Sequence, residues 1–228
     1  KTPSPKILKD AFTKTKPKLI LAVPLIIEKV VTKVVFPKLK KGSAATLKKI
    51  PLLNVLVFSK IRKGMIEFFG DNLDEVVIGG AALNKDVENF LKKIKFPFTV
   101  GYGMTECGPL ISYAYWKEYK KRSSGNVVDR MQVKIDSSDP ENVVGEILTK
   151  RSNVMLGYYK NEEATKETFT ADGWLKTGDL GTMDKDNLIF IKGRNKNMLL
   201  GPSGQNIYPE EIEEKLNSSD YISEVLAI

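Results

Sequence analysis

The stretch EVVIGGAALNKDVENFLKKIKFPFTVGYGMTE, residues 75–106, decides how this chain folds. It opens with Val76, Val77 and Ile78, a β-branched run that stops abruptly at Gly79, Gly80, Ala81 and Ala82. Such a run, bounded by turn residues, reads as one buried strand. Asn84 then offers an N-cap oxygen, and Val87, Phe90, Leu91 and Ile94 fall on one side of the helix it begins. FPFTV is a second strand, and it too runs into a glycine loop, GYG at 101–103. Strand, helix and strand in this order predict a parallel pair with a helical crossover. The glycine loops matter because ligands of open α/β sheets sit beyond the carboxyl ends of the strands.

Toward the N-terminus the same texture continues. Residues 5–16 read as a helix with Ile7, Leu8, Ala11 and Phe12 on one face and Pro17 as its stop. KLILAVP (18–24) is a short apolar strand, LIIEKVVTKVVF (25–36) returns to a period near 3.6, and 47–69 is again helical. From about residue 123 the pattern changes. MQVKID (131–136), GEILTK (145–150) and NLIFIK (187–192) are short strands joined by Asp, Asn, Gly and Ser turns, which predicts a small antiparallel or barrel-like unit. In NIYPEEIEEKLNSS (206–219), Pro209 suits the first helical position and Glu210, Glu211 and Glu213 suit the positive end of the helix dipole. The last residues, SEVLAI (223–228), read as a strand. The expected fold is therefore α/β. A parallel-sheet half-domain over 1–122 precedes a β-rich, barrel-like subdomain over 123–194 and the start of a small α+β domain over 195–228.

Composition narrows the chemistry. The 228 residues are 42% hydrophobic and 28% charged, the profile of a globular protein. There is no histidine and a single cysteine, Cys107. Ser–His and Cys–His catalysis are thereby excluded, a transition-metal site is disfavoured, and a disulfide framework is impossible, which suits a reducing, cytoplasmic setting. Charge is uneven. Residues 1–63 hold 16 Lys+Arg against 2 Asp+Glu, a balance of +14, and the remainder hold 20 against 26, so the chain totals +8. A basic third of this kind is either a solvated lysine-rich face or a surface for phosphates, nucleic acid or an anionic membrane. LILAVPLII (19–27) is far too short to span a bilayer, which takes about 20 apolar residues. The opening KTPSPKILKD has neither a starting methionine nor a signal-peptide pattern, as expected of an internal fragment.

Three motifs can carry chemistry. In GYGMTECGPLISY (101–113), Tyr102 can lie along a planar ligand, Thr105 can donate to a phosphate oxygen, and Glu106 offers a hard oxygen to Mg²⁺. In DGWLKTGDLG (172–181), Asp179 sits on tight backbone that can push a carboxylate outward, where it can accept from two ribose hydroxyls. In IKGRNKNML (191–199), Arg194 can reach ribose or phosphate oxygens. Each motif alone is equally well read as an ordinary turn.

Taken together and in order, GGAAL, YGMTE, GWLKTGDLG and GRNKNM…SGQNIYPEEIE resemble the later motifs of the acyl-adenylate-forming enzymes, a group that includes acyl-CoA synthetases. The NM after the Gly-Arg pair, SGQNIYPEEIE and the N-terminal SPKILKDAFTKTKPKLILAVPLIIEKV are most similar to long-chain fatty-acid–CoA ligases. The resemblance implies a role for each matching position. Residues 79–83, with Gly79, Gly80, Ala81 and Ala82, would lie along adenine, and Tyr102, next to Gly103, would stack on it. Thr105 would contact the α-phosphate, Glu106 would hold Mg²⁺, Asp179 would bind the ribose, Arg194 would assist there, and Lys196 would be a domain hinge. The implied substrates are a fatty acid, ATP and CoA: acyl-AMP forms first, and the CoA thiol then displaces AMP.

Two departures from the group are visible. Its Ser/Thr/Gly-rich phosphate loop ending in lysine has no counterpart, GSAATLKK (42–49) being the nearest stretch and reading better as a helix entry or loop. The C-terminal lysine that contacts the acyl phosphate is also missing. The expected protein is thus a piece of a ligase, by itself inactive, with peripheral membrane contact as a lesser expectation. A small domain cut at Lys196 should also protect residues 197–228 from protease less than the strands before them. The competing readings are an adenylating enzyme for another carboxylic acid, and a non-catalytic basic module that binds membrane or nucleic acid. The latter fits poorly, because Tyr102, Glu106 and Asp179 are all present.

Overall fold

The computed structural model describes residues 5–40, 51–200, 206–217, 222 and 225–227. The stretch 42–49 singled out above lies outside them. The chain divides into two compact units, Lys1–Thr99 and Val100–Ile228.

In the first unit, helix α1 (Pro5–Thr15) leads to β1 (Leu19–Ala22), and α2 (Pro24–Lys29) begins with Pro24, whose fixed φ and missing N–H suit a helix start. The run VVTKVV that follows, Val30–Val35, is π-helical before α3 (Phe36–Lys40) resumes the ordinary winding. Five of its six residues are β-branched, and their crowded Cβ atoms fit the α-helix less well. Then come α4 (Pro51–Phe68), β2 (Glu75–Ile78), α5 (Lys85–Lys93) and β3 (Phe98–Val100). β1 and β2 pair in parallel, Leu19 opposite Glu75 and Ala22 opposite Ile78, and β3 lies on the other side of β2.

The helix expected after Asn84 forms as anticipated. The Asn84 side chain accepts from the N–H groups of Asp86 and Val87, and Val87, Phe90, Leu91 and Ile94 are all buried. They pack in a core with Ile27, Val31, Phe69, Val76, Ile78, Phe96 and Phe98, in which the rings of Phe69 and Phe96 lie 5.9 Å apart. The helix read over 5–16 forms as α1, Pro5–Thr15. Phe12 packs 5.4 Å from the Phe69 ring, but Ile7 is 61% exposed and Ala11 is also exposed. One aromatic anchor suffices to dock so short a helix.

The second unit is mostly antiparallel. β4 (Tyr102–Gly103), β5 (Leu110–Tyr113) and β6 (Asn126–Val127) form one sheet. β7 (Gln132–Asp136), β8 (Gly145–Lys150), β9 (Leu175–Met183) and β10 (Ile189–Arg194) form another, in the order β10-β9-β8-β7. The two are tied where Ser124 N–H donates to the Ile189 carbonyl at 2.8 Å and Ile189 N–H to that of Gly125 at 3.1 Å. The barrel-like expectation thus takes the form of joined open sheets, with no closed barrel among the described residues. Their shared core holds Cys107, Ile111, Ile147, Leu175 and Ile189, all fully buried.

Helix α6 (Glu162–Thr168) follows β8 and is capped by Asn161. After β10 come a 3₁₀ turn (Asn195–Asn197), the short pair β11 (Leu199–Leu200) and β12 (Asn206–Ile207), and α7 (Pro209–Asn217), which opens at Pro209 as expected. Of the terminal strand expected over 223–228, only residues 225–227 are among the described residues, and these carry no regular structure. The N–H of Ala227 bonds the Glu213 carboxylate at 3.0 Å where a strand would need a partner backbone.

Candidate active site

Tyr102 and Arg194 converge on the carboxylate of Asp179. The antiparallel register of β9 and β10 sets Asp179 opposite Arg194, and Asp179 Oδ1 lies 3.1 Å from the Arg194 Nε. Its Oδ2 accepts from the Tyr102 hydroxyl at 2.8 Å. The neighbouring backbone is held as well. Asp179 N–H donates to Thr177 Oγ1 at 3.1 Å, Thr177 donates onward to the Ile147 carbonyl at 2.8 Å, and Gly178 N–H donates to Glu146 Oε1 at 3.0 Å. Asp179 does not point outward, as its tight turn suggested. It is 7% exposed, because this position of β9 faces inward and two donors meet it there.

A buried carboxylate needs such partners, since an unpaired charge out of water is costly. The Arg194 side chain is 69% exposed, so water screens much of its attraction. The inner partner is Tyr102. Burial chiefly, and then the charge of Asp179, hold its phenol well above the ordinary value, so it stays a protonated donor.

The chain beyond Tyr102 turns back sharply. Met104 N–H donates to the Pro109 carbonyl at 2.8 Å, and a Cβ on Gly103 would collide with that same carbonyl, so only glycine fits there. Residues Thr105–Cys107 form a 3₁₀ turn that leaves Thr105 exposed and Glu106 half-buried. Glu106 Oε1 accepts from the Tyr158 hydroxyl at 3.0 Å. Burial first and this bond second raise the Tyr158 phenol above its ordinary value. Cys107 is fully buried and its thiol is pushed up to about 11, by burial and then by Glu106. It is therefore no nucleophile near neutral pH.

Gly79, Gly80, Ala81 and Ala82 belong to the first unit. They follow the carboxyl end of β2 as a largely exposed loop, with Gly79 N–H on the Ala22 carbonyl at 3.1 Å. Lys196 is exposed within the 3₁₀ turn after β10. Sequence reasoning missed Tyr158, Asn153 and Met155, which all contact residues 106–107 across some 50 positions; only the pair of tyrosines after Gly157 hints at them. No cluster of three or more His, Cys, Asp or Glu exists among the described residues. A lone half-buried carboxylate suits a cation such as Mg²⁺, whose other ligands are phosphate oxygens and water.

In this mixed α/β chain an aromatic ring and a carboxylate meet at one point, and a hydroxyl and a second carboxylate stand on the turn that follows Tyr102. The chain belongs to the AMP-binding enzyme family, whose pattern it matches over residues 1–159. It is 32% identical over 173 residues to the long-chain-fatty-acid–CoA ligase FadD15 of Mycobacterium bovis, covering 76% of this chain and 27% of that protein. It is 37% identical over 182 residues to 4-coumarate–CoA ligase 1 of Narcissus pseudonarcissus, covering 73% and 32%. Among solved structures, o-succinylbenzoate–CoA synthetase (MenE) of Bacillus subtilis in complex with its acyl-adenylate intermediate superposes with a TM-score of 0.74 at 22% identity, over 97% of this chain and 40% of that one. That likeness establishes the shared fold. The chain spans about a quarter to a third of the length of these two curated relatives.

Proposed function

We propose that this chain carries the nucleotide site of an ATP-dependent acyl-CoA ligase, which activates a carboxylic acid as acyl-AMP and passes the acyl group to CoA. The observation that carries the proposal is the Tyr102–Asp179–Arg194 contact. A carboxylate offers about four lone-pair sites. Tyr102 and Arg194 take one on each oxygen, which leaves capacity for both hydroxyls of a ribose. The neighbouring Tyr102 ring is suited to the attached base.

Thr105 and Glu106 then serve the phosphate end. The exposed Thr105 hydroxyl would donate to the α-phosphate, where negative charge builds up as the acid attacks. Glu106 would hold Mg²⁺, which when bound neutralises charge on the phosphate oxygens. Lys196 would serve as the hinge between a large and a small domain, dividing the chain at about residue 195.

A long-chain fatty acid is the proposed substrate, on the strength of the GRNKNM…SGQNIYPEEIE motif and of relatives such as FadD15. The 4-coumarate relatives favour a second reading, an aromatic acid. The test is a thermal-shift titration with non-hydrolysable acyl-AMP analogues bearing long-chain, short-chain and coumaroyl groups, beside AMP. A ligand at a hundred times its Kd adds about 2.7 kcal/mol of stability. A shift that is largest for the long chain and lost in Asp179→Ala is the expected result. A larger coumaroyl shift would replace the substrate assignment, and a shift that survives Asp179→Ala would remove Asp179 from the site.

A further inference from the structure

We propose that Tyr158 is a positioning residue for Glu106, and that residues 153–158 clamp the turn bearing Thr105 and Glu106 so that one carboxylate oxygen is presented to a phosphate-bound cation. Three contacts from six residues converge on two. Asn153 Nδ2 donates to the Cys107 carbonyl at 2.7 Å, Met155 N–H to the Glu106 carbonyl at 2.8 Å, and the Tyr158 hydroxyl to Glu106 Oε1 at 3.0 Å. Backbone and side chain of Glu106 are thus gripped by the same short segment.

The clamp is itself anchored. Tyr158 N–H donates to Thr165 Oγ1 at 2.9 Å, and that hydroxyl donates to the Asn161 carbonyl at 2.7 Å. Asn161 caps α6 by accepting from Ala164 N–H at 3.0 Å. The phenol therefore reaches Glu106 from a fixed base rather than from a loose loop. Asn153 bears a cost for its part: with its amide nitrogen committed to Cys107, its buried Oδ1 has no hydrogen-bond partner.

The chemistry distinguishes positioning from packing. Tyr158 is 40% exposed, so its ring adds little to the core. Its hydroxyl, in contrast, occupies one oxygen of a carboxylate whose other oxygen has no protein hydrogen bond among the described residues. A half-buried glutamate without such a partner has several rotamers to lose on binding a cation. Outer partners that orient a ligating carboxylate typically change metal affinity about 10–100-fold when removed.

The inference rests on the nucleotide reading above, and its test separates the two. Protein labelled with 3-fluorotyrosine should show one fluorine resonance that vanishes in Tyr158→Phe and moves in Glu106→Ala. Calorimetric titration with ATP, in Mg²⁺ and in EDTA, should show Tyr158→Phe weakening the Mg²⁺-dependent binding about tenfold, with binding in EDTA unaltered. A resonance indifferent to Glu106→Ala overturns the contact. Equal weakening with and without Mg²⁺ overturns positioning in favour of a purely structural role. Wild-type protein that binds ATP in neither buffer overturns the nucleotide reading and the positioning role built on it, and a fluorine signal still responding to Glu106→Ala identifies that as the failure of the reading rather than of the contact.

Discussion

Tyr102 and Asp179 stand 77 residues apart in the chain and are joined by a 2.8 Å hydrogen bond, both of them 7% exposed. The bond links the turn bearing Thr105 and Glu106 to the strand pair bearing Asp179 and Arg194. Removing the hydroxyl leaves a buried carboxylate short of its inner donor. Hydrogen bonds to charged groups are worth about 1.5–3 kcal/mol, so Tyr102→Phe should lower unfolding stability by that amount in a urea titration. A change of a few tenths would mean that water replaces the phenol at Asp179.

The same tyrosine predicts a pH dependence. Its phenol is raised above the ordinary 10.0 in the folded protein, so the folded state holds this proton more tightly than the unfolded chain does. The stability it contributes is complete below the unfolded value of about 10 and declines as pH rises beyond it. Denaturant midpoints measured from pH 8 to 11 should therefore fall at the alkaline end, and fall less in Tyr102→Phe. Parallel curves for the two proteins would place the sensitive group elsewhere.

Arg194 should behave in the opposite way. Its side chain is 69% exposed, and exposed ion pairs contribute only about 0–1 kcal/mol. Arg194→Ala is expected to leave the urea midpoint nearly unchanged. If the guanidinium also meets a ribose or phosphate oxygen, the same variant loses a charged hydrogen bond worth about 1.5–3 kcal/mol, roughly 10–100-fold in affinity for an acyl-AMP analogue. Unchanged affinity would confine Arg194 to its bond with Asp179.

Local patterns were legible in the sequence, and long-range pairings were not. Asn84 and the spacing of Val87, Phe90, Leu91 and Ile94 specified α5, because a cap and a 3.6-residue period are local properties. Pro209 announced α7 in the same way. α1 forms where its spacing placed it, but periodicity reports which side is apolar, not whether anything covers it, and Ile7 remains exposed. Tyr102, Asp179 and Arg194 were each picked out by motif, but their meeting depends on the β9–β10 register and on the hairpin after Tyr102. The Tyr158–Glu106 pairing could not be read from the tyrosine pair after Gly157, since its 52-residue separation is closed only by the folded second unit.

The hairpin gives the sharpest steric test. Gly103 lies so close to the Pro109 carbonyl that an added methyl group overlaps backbone, which has no rotamer by which to retreat. Gly103→Ala must therefore open the β4–β5 pairing, shift Met104 off its 2.8 Å bond to the same carbonyl, and displace Thr105 and Glu106 with it. The expected cost is about 1–3 kcal/mol, as for other forced local backbone rearrangements. Hydrogen exchange should accelerate at Met104 while α5 in the other unit stays protected. If both units lose protection together, the variant has unfolded the protein globally, and the hairpin is a determinant of the whole fold rather than a local support for the site.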